Sequence, residues 1–145
     1  MNEQRLHVAA EISAAILTEM LGEYGVEVSD FQLLSGGLIN TNVKVMPKSG
    51  QSIVSRIYIP ERSFDEVSFE MSVLKRLADR GLPVQTPHVN RMGGMVGTYK
   101  GRQFVVLTFI EGVTMKEDQL SEKIARSMGR FVAEMHRDAE FMGWD

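Results

Sequence analysis

The sequence predicts an α+β domain built on an antiparallel sheet. Three short segments typical of strands follow one another and are joined by short turns. Parallel strands need crossovers of about a dozen residues or more, so these turns favour antiparallel pairing. Apolar residues at helical spacing occur before, between and after the strand segments. The predicted order is helix, three strands, helix, two or three strands, helix.

Composition places the chain among soluble globular proteins. It has 145 residues, of which 43% are hydrophobic and 24% charged, and a net charge of -3 argues against binding nucleic acid by bulk charge. The absence of cysteine excludes disulfides, cysteine nucleophiles and thiolate metal sites. No apolar run reaches the roughly 18–20 residues of a membrane span, and the N-terminus lacks a signal-peptide pattern. We therefore expect a cytoplasmic protein.

The first helix is predicted from apolar residues four positions apart. This stripe consists of Val8, Ile12, Ile16 and Met20. Gly22 and Gly25 follow it and are typical of a helix end. Residues 1–29 are therefore expected to form an N-terminal helical segment.

Three strands are predicted next, over residues 30–34, 41–46 and 53–59. Val43 and Val45 give the second strand its period of two, and the third is rich in β-branched and aromatic residues. A glycine-containing break separates the first two strands, and a Pro-Lys-Ser-Gly turn separates the second from the third.

The second half begins with a helix predicted over residues 64–80, which Gly81 ends. Short strands are expected near residues 88–91 and 95–99, and a buried apolar strand over residues 104–108. After a break at Gly112, a final helix carries one apolar stripe. Its members are Leu120, Ile124, Met128, Phe131 and Met135.

The break at Ser35, Gly36 and Gly37 is the first candidate site. Glycines allow a backbone to approach a phosphate closely, and free N–H groups can bind an anion. Asn40 and Asn42 add side-chain donors at the end of this loop. An ordinary hairpin loop is the alternative interpretation, since such short motifs are weak.

Arg56 is the second candidate, because it is a cation in the middle of an apolar strand. Such a group is exposed on one face or paired with a carboxylate. Glu70 on the following helix is the favoured partner and Glu66, one turn earlier, is its rival. A strand cation held by a helix carboxylate near a glycine loop is the arrangement that kinases use for nucleotide phosphates. A solvated Arg and a surface Glu are the alternative.

The third candidate is the end of the last strand, at residues 108–112. A strand that leaves its sheet into an open segment has unpaired backbone donors and acceptors. A nucleotide base or water could use these groups.

Taken in order, these segments resemble successive motifs of the aminoglycoside phosphotransferase/choline kinase superfamily, whose fold is protein-kinase-like. The matching motifs are residues 35–42, 53–58, Glu70 and Leu77, 80–84, 107–112 and 128–136. The last of them is similar to the family's G-x-x-L-A-x-x-H helix. The resemblance covers the chain from about Leu33 to His136.

The resemblance implies the N-terminal lobe of that fold, a five-stranded antiparallel sheet with an αC-type helix, an N-terminal helix and a C-terminal helix. Residues 30–112 would form the ATP-binding lobe and the linker, and residues 113–145 the start of a truncated C-terminal lobe. The implied cofactors are ATP and Mg²⁺. The cofactor-binding residues would be Ser35, Gly36, Gly37, Asn40, Asn42, Arg56, Glu70, Thr108 and Ile110.

Within that set, the resemblance gives each group a role. The glycines would cover the ATP phosphates, and Arg56 would replace the lysine that contacts the α- and β-phosphates. Glu70 lies thirteen residues before Pro83, as the family's helix glutamate does, which favours it over Glu66. The Thr108 carbonyl and the Ile110 N–H align with the groups that hydrogen-bond adenine.

One family feature is absent from the sequence. The catalytic His-Gly-Asp loop and the later metal-binding Asp motif do not occur, so neither a catalytic residue nor a metal ligand is assigned. We expect this chain alone to be inactive, with the metal ligands in the missing C-terminal lobe. The full-length protein would be a kinase acting on a hydroxyl of an aminoglycoside-, choline- or homoserine-like substrate, without nucleic-acid or membrane partners.

Two further expectations concern what the chain binds. A stand-alone nucleotide-binding or protein-interaction module derived from a kinase lobe is the alternative to an enzyme. Because the apolar stripe of the last helix would pack within the missing lobe, we expect self-association through that helix.

Overall fold

The computed structural model describes residues 12–35 and 39–140, with side chains described as far as residue 137. The helices and strands are α1 (Ala14–Leu21), β1 (Val28–Leu33), β2 (Thr41–Pro47), β3 (Ile53–Ile57), α2 (Phe64–Asp79), β4 (Val96–Tyr99), β5 (Arg102–Thr108) and α3 (Glu122–Glu140). Short 3-10 turns lie at Gly22–Tyr24 and Glu117–Gln119. Val8, the first member of the predicted N-terminal stripe, lies outside the described residues.

The strands form one five-stranded sheet in the order β1-β2-β3-β5-β4, and every neighbouring pair is antiparallel. The predicted α+β class, with helices before, between and after the strands, is therefore confirmed. The short connections β1–β2, β2–β3 and β4–β5 make adjacent antiparallel pairs, as their lengths require.

The separate strand predicted near residues 88–91 is wrong. The N–H of His88 donates to the Val106 carbonyl at 2.8 Å, which extends the ladder along β5 by a short contact. The chain then turns at Asn90, whose side-chain oxygen accepts from the N–H groups of Met92 and Gly94. A side chain that hydrogen-bonds its own backbone in this way favours a turn over a strand.

One side of the sheet, here called the α1 face, is closed by α1. Ser13 caps this helix by accepting from the Ile16 N–H at 3.3 Å, and the apolar side of the helix then packs on the strands. The buried cluster consists of Leu17, Met20, Leu21, Val43, Val45, Ile53, Ile57, Phe104 and Val106. Gly97 lies so close to the Phe104 ring that a Cβ there would overlap it. The absence of a side chain at position 97 therefore lets the ring pack across β4.

The opposite side, here called the α2 face, is covered in part by α2. The helix begins with a capping box in which Ser63 and Glu66 each accept a backbone N–H, and Gly81 just beyond its end has a left-handed φ of 83°. Its buried side packs Val67 and Met71 on the strands; the rest of that cluster is Val54, Tyr58, Val96, Val105 and Leu107. The part of this face near Arg56 is left open.

Helix α3 contributes no residue to either buried cluster in the described part of the chain. It begins at Glu122, so Leu120 lies before the helix and not in its stripe. None of residues 122–137 is buried, and Met128 is 58% exposed. Across the described residues, no helix combines the length and apolar character that crossing a membrane requires.

Candidate functional site

An open cleft of about 300 Å³ lies on the uncovered part of the α2 face. Strand β2 and β3, the start of the loop after β1, the loop after α2 and the chain beyond β5 all contribute to it. The lining residues are Leu34, Ser35, Asn42, Val54, Arg56, Gln85, Phe109 and Ile110. The lining therefore combines apolar side chains with a small set of polar groups, as small-molecule sites do.

Arg56 is the cation of this cleft, and strand alternation puts it there. Its neighbour Ile57 belongs to the α1-face cluster, so Arg56 points to the α2 face. The guanidinium donates through Nε to Asn42 Oδ1 at 3.2 Å, through Nη1 to Glu70 Oε1 at 3.0 Å and through Nη2 to Gln85 Oε1 at 3.2 Å. Three separate segments thus hold one side chain that is 22% exposed.

Glu70 anchors Arg56 to α2 and has further donors. Its Oε1 also accepts from the Tyr58 hydroxyl at 2.8 Å, and its Oε2 accepts from Arg62 Nη2 at 3.3 Å. Glu70 follows Val67 by three residues and precedes Met71 by one, so packing of these two residues on the sheet brings its carboxylate to Arg56.

The alternative carboxylate, Glu66, caps the helix and is not hydrogen-bonded to Arg56. It accepts from the Ser63 N–H and hydroxyl at 2.8 Å each and so completes the cap of α2. These hydrogen bonds lower the pKa of Glu66. Of the two partners predicted for Arg56, the structure therefore selects Glu70.

Tyr58 stays protonated beside this ion pair. Burial, followed by its contact with the Glu70 carboxylate, raises the pKa of Tyr58 above its ordinary value. A protonated hydroxyl can donate to Glu70 without adding a second negative charge. The group of Arg56, Glu70, Tyr58 and Arg62 is therefore a charge-assisted hydrogen-bond network at the inner end of the cleft.

The other end of the cleft is formed by the chain that leaves β5. The Thr108 carbonyl accepts from Gln85 Nε2 at 3.2 Å, and the Thr108 hydroxyl accepts from the Thr86 N–H at 2.9 Å. Beyond it, the Lys44 ammonium lies 3.9 Å from the centre of the Phe109 ring and 3.5 Å from Glu111 Oε1. These contacts tie the chain after β5 to β2.

The structure brings most of the sequence-predicted residues together. Ser35, Asn42, Arg56 and Ile110 line the cleft directly. Glu70 and Thr108 join it through hydrogen bonds to Arg56 and Gln85. Their roles in binding a nucleotide stay predictions.

The remaining three predicted residues are not placed at the cleft. Asn40 lies outside it, and its buried Oδ1 has no hydrogen-bond partner among the described residues. Gly36 and Gly37, the predicted phosphate loop, lie outside the residues that the structure describes.

Sequence analysis missed Gln85, Tyr58 and Arg62. Gln85 lies in an irregular loop after α2 and has neither charge nor periodicity to mark it. Tyr58 could have been found, because two positions after Arg56 on a strand is the same face. Arg62 lies in the turn before α2, where sequence spacing does not predict the direction of a side chain.

Acidic and histidine side chains do not gather into a metal site in the described part of the chain. Within residues 12–35 and 39–140, no three such groups are close enough to hold a metal ion. The polar part of the cleft lining consists of Ser35, Asn42, Gln85 and the cation Arg56, and a cation suits an anionic ligand.

Comparison with curated proteins finds homoserine kinases among the relatives of this chain. A homoserine kinase of Rhodopseudomonas palustris (strain BisA53) is 28% identical over 130 residues, which are 89% of this chain and 39% of that protein. A homoserine kinase of Sinorhizobium fredii is 27% identical over 134 residues, which are 92% of this chain and 40% of that protein. The chain thus spans about two fifths of the length of the curated relatives it matches.

Two solved structures share the fold. Amicoumacin kinase in complex with AMP-PNP, Ca²⁺ and Ami has a TM-score of 0.76 at 18% identity, over 92% of this chain and 42% of that chain. Spectinomycin phosphotransferase in complex with ADP and spectinomycin has a TM-score of 0.70 at 20% identity, over 88% of this chain and 39% of that chain. These similarities establish a kinase-like N-terminal lobe.

The family model that matches this sequence describes the phosphotransferase enzyme family (APH), and it matches residues 30–140. That range contains the whole sheet except the first residues of β1, all of α2 and the cleft around Arg56. By this match, which covers most of its length, the chain belongs to the phosphotransferase enzyme family.

Proposed function

We propose that this chain is the nucleotide-binding part of a kinase that transfers the γ-phosphate of ATP to a hydroxyl of a small molecule. The observation that carries the proposal is Arg56, fixed by Glu70 and by two amide oxygens at the inner end of an open cleft. A positioned cation is what phosphoryl transfer requires, because its catalysis is mainly positioning and electrostatic stabilisation.

The two ends of the cleft would bind different parts of ATP. Arg56 would contact the phosphates, together with Ser35 and the loop of Gly36 and Gly37. The Thr108 carbonyl and the Ile110 N–H would hydrogen-bond adenine at the other end. Asn42 would act through Arg56, since its side-chain oxygen is used by Arg56 Nε.

The acceptor that we favour is homoserine, because homoserine kinases are among the curated relatives that match most of this chain. Aminoglycoside- and choline-like alcohols are the other acceptors of the proposal. No three acidic or histidine side chains come together among residues 12–35 and 39–140, and we assign none of these residues to Mg²⁺. We expect the metal ligands and the catalytic base outside the matched two fifths of the enzyme, and the reaction in the cytoplasm.

The proposal is tested on the complete reading frame that contains this chain. The purified product is incubated with ATP and Mg²⁺, and ADP formation is measured with homoserine, choline or an aminoglycoside as acceptor. Acceptor-dependent ADP formation supports a small-molecule kinase, and a preference for homoserine supports the favoured substrate. ATP binding without turnover on any acceptor would favour the stand-alone nucleotide-binding module instead.

We also propose that residues 1–145 self-associate through the apolar stripe of α3. None of residues 122–137 is buried, so the stripe members within α3 keep exposed surface, and Met128 is 58% exposed. Burying such side chains is worth about 1.5–3 kcal/mol each, which favours association. Light scattering should give a mass above that of a monomer for residues 1–145 and a monomer for residues 1–112. A monomeric long form as soluble as the short one contradicts the proposal.

A further inference from the structure

Gln85 connects the two ends of the cleft through one side chain. Its Oε1 accepts from Arg56 Nη2 at 3.2 Å, and its Nε2 donates to the Thr108 carbonyl at 3.2 Å. Gln85 also lines the cleft. A single amide therefore contacts both the cation at the inner end and the carbonyl at the linker end.

The orientation of this amide is dictated by its neighbours. A guanidinium has only donors and a carbonyl oxygen only acceptor capacity. The amide must therefore present its oxygen to Arg56 and its nitrogen to Thr108, because the reversed orientation would make both contacts repulsive. A glutamate at this position could satisfy Arg56 but would face Thr108 with a second acceptor.

Gln85 completes the restraint of Arg56. A guanidinium has five N–H groups, and three of them have the acceptors Asn42, Glu70 and Gln85. These acceptors, one on each guanidinium nitrogen, come from three separate segments and hold the plane of the side chain. Bidentate binding of phosphate oxygens by a guanidinium depends on this planar geometry.

The backbone at Gln85 is held independently of its side chain. The next residue, Thr86, donates its N–H to the Thr108 hydroxyl at 2.9 Å and accepts from the Thr108 N–H at 3.0 Å. A substitution at position 85 therefore removes the amide contacts while these backbone contacts keep the loop on β5.

From this geometry we propose that Gln85 is a positioning residue that couples base binding to phosphate binding. It fixes the plane of Arg56 for the phosphates and is itself oriented by the Thr108 carbonyl. A carbonyl oxygen has two lone pairs, so Thr108 can accept from Gln85 and from a base amino group together. The inference rests on the proposed nucleotide site.

The test compares residues 1–145 with the variants Gln85→Met and Gln85→Glu. Gln85→Met keeps the length and removes both contacts, whereas Gln85→Glu keeps an acceptor for Arg56 and removes the donor to Thr108. Gln103→Met is the matched control, because it also removes a side-chain hydrogen bond, the one that Gln103 Oε1 accepts from the Thr98 hydroxyl, but Gln103 lies outside the cleft lining. Dissociation constants for ATP and adenosine are measured by NMR titration up to millimolar ligand.

We expect Gln85→Met to weaken ATP binding by about tenfold, the size of a lost hydrogen bond to a charged group, and adenosine binding by less than about twofold. In the ligand-free chain, the Arg56 Nη NMR signals should exchange faster in Gln85→Met than in wild type, and Gln85→Glu should restore slow exchange. Gln103→Met should match wild type in every measurement.

Two failures are distinguishable. If wild type binds ATP but Gln85→Met loses ATP and adenosine equally, or Arg56 exchange is unchanged, Gln85 has no positioning role and the nucleotide site stands. If wild type binds neither ligand up to millimolar concentration, the nucleotide site is refuted for this chain and the coupling with it.

Discussion

The two faces of the sheet use the same strands for different purposes. On β3, Ile53 and Ile57 point to the α1 face and are buried in its cluster. Arg56, one residue before Ile57, points to the α2 face and lines the cleft. A shift of one position along a strand therefore separates a residue that closes the core from one that can contact a ligand.

The two faces also differ in what fixes their side chains. The α1-face cluster consists of buried apolar residues from α1 and the strands, so its residues are held by packing. The open part of the α2 face holds Arg56 through hydrogen bonds to Asn42, Glu70 and Gln85. We therefore expect substitutions on the α1 face to change stability and those in the cleft to change ligand binding.

The largest effect should follow from Phe104→Ala on the α1 face. Phe104 is 1% exposed, and truncating a buried Phe costs about 3–5 kcal/mol of the free energy of unfolding. Urea denaturation measures this loss. Phe64→Ala is the control, since Phe64 is 51% exposed, and should cost less than about 1 kcal/mol. Equal losses for the two variants would mean that the α1 face does not dominate stability.

In contrast to Phe104→Ala, Arg56→Ala should change ATP binding strongly and the free energy of unfolding little. It should weaken ATP binding by about 10- to 100-fold, because a positioned charge on the phosphates is lost. It should cost only about 1 kcal/mol of stability, because Tyr58 and Arg62 still donate to Glu70. ATP titration and urea denaturation of the same samples measure both.

Arg102→Ala on β5 is the control for Arg56→Ala, since Arg102 is outside the lining of the cleft. It should leave the ATP dissociation constant within about twofold of wild type, as expected for a substitution with no ligand contact. If Arg56→Ala left ATP binding equally intact, Arg56 would not belong to the site.

The sequence was sufficient to predict the features that follow from the periodic spacing of apolar residues. Alternation on β2 and β3 predicts which residues are buried, and helical spacing on α2 predicts that Glu70 lies beside the packed stripe. The contact between Arg56 and Glu70 follows from these two periods, and it is present at 3.0 Å. The antiparallel pairing of β1 with β2, β2 with β3 and β4 with β5 follows from the short turns between them, whereas the pairing of β3 with β5 does not.

Features set by single irregular contacts could not be predicted. Gln85 reaches Arg56 and Thr108 from a loop, and no spacing rule gives the direction of a loop side chain. The strand expected near residues 88–91 gives way to a turn because the Asn90 side chain binds backbone N–H groups. Both errors come from hydrogen bonds of polar side chains. Gln85 bonds residues far away in the sequence and Asn90 bonds its own turn, and hydrophobic patterning predicts neither kind of contact.

His88, next to β5, provides a test of burial through the pH dependence of stability. Burial lowers the pKa of His88 from its ordinary value of 6.5, so the folded chain favours neutral His88. The unfolded chain binds more protons below that value, and the free energy of unfolding should therefore fall as the pH drops from 7 through 6. Thermal or urea denaturation across this range measures the loss, which should be smaller than that of Phe104→Ala.

His88→Gln should flatten this dependence, because the titrating group is removed. Glu66 does not contribute to the slope in this range. Because the pKa of Glu66 is lowered, the stability that depends on its charge is lost only below about pH 4.5. An unchanged slope between pH 7 and 6 in His88→Gln would show that His88 is not the responsible group.

The smallest effect concerns Ser55, a polar residue on the α1 face. It is 0% exposed, pairs with Val43 and Val106 on the neighbouring strands, and its hydroxyl has no hydrogen-bond partner among the described residues. A buried hydroxyl without a partner costs about 1–3 kcal/mol, and alanine removes it with little loss of volume. Ser55→Ala should therefore raise the free energy of unfolding by about 1 kcal/mol and leave ATP binding unchanged.

The matched control for Ser55→Ala is Ser63→Ala at the cap of α2. The Ser63 hydroxyl accepts from the Glu66 N–H and donates to the Glu66 carboxylate, so its loss should lower stability by about 1 kcal/mol. The same chemical change would then have opposite signs at the two positions. Urea denaturation of both variants decides the matter: if Ser55→Ala also destabilises, the Ser55 hydroxyl is satisfied, and the α1 face is held by a polar contact as well as by packing.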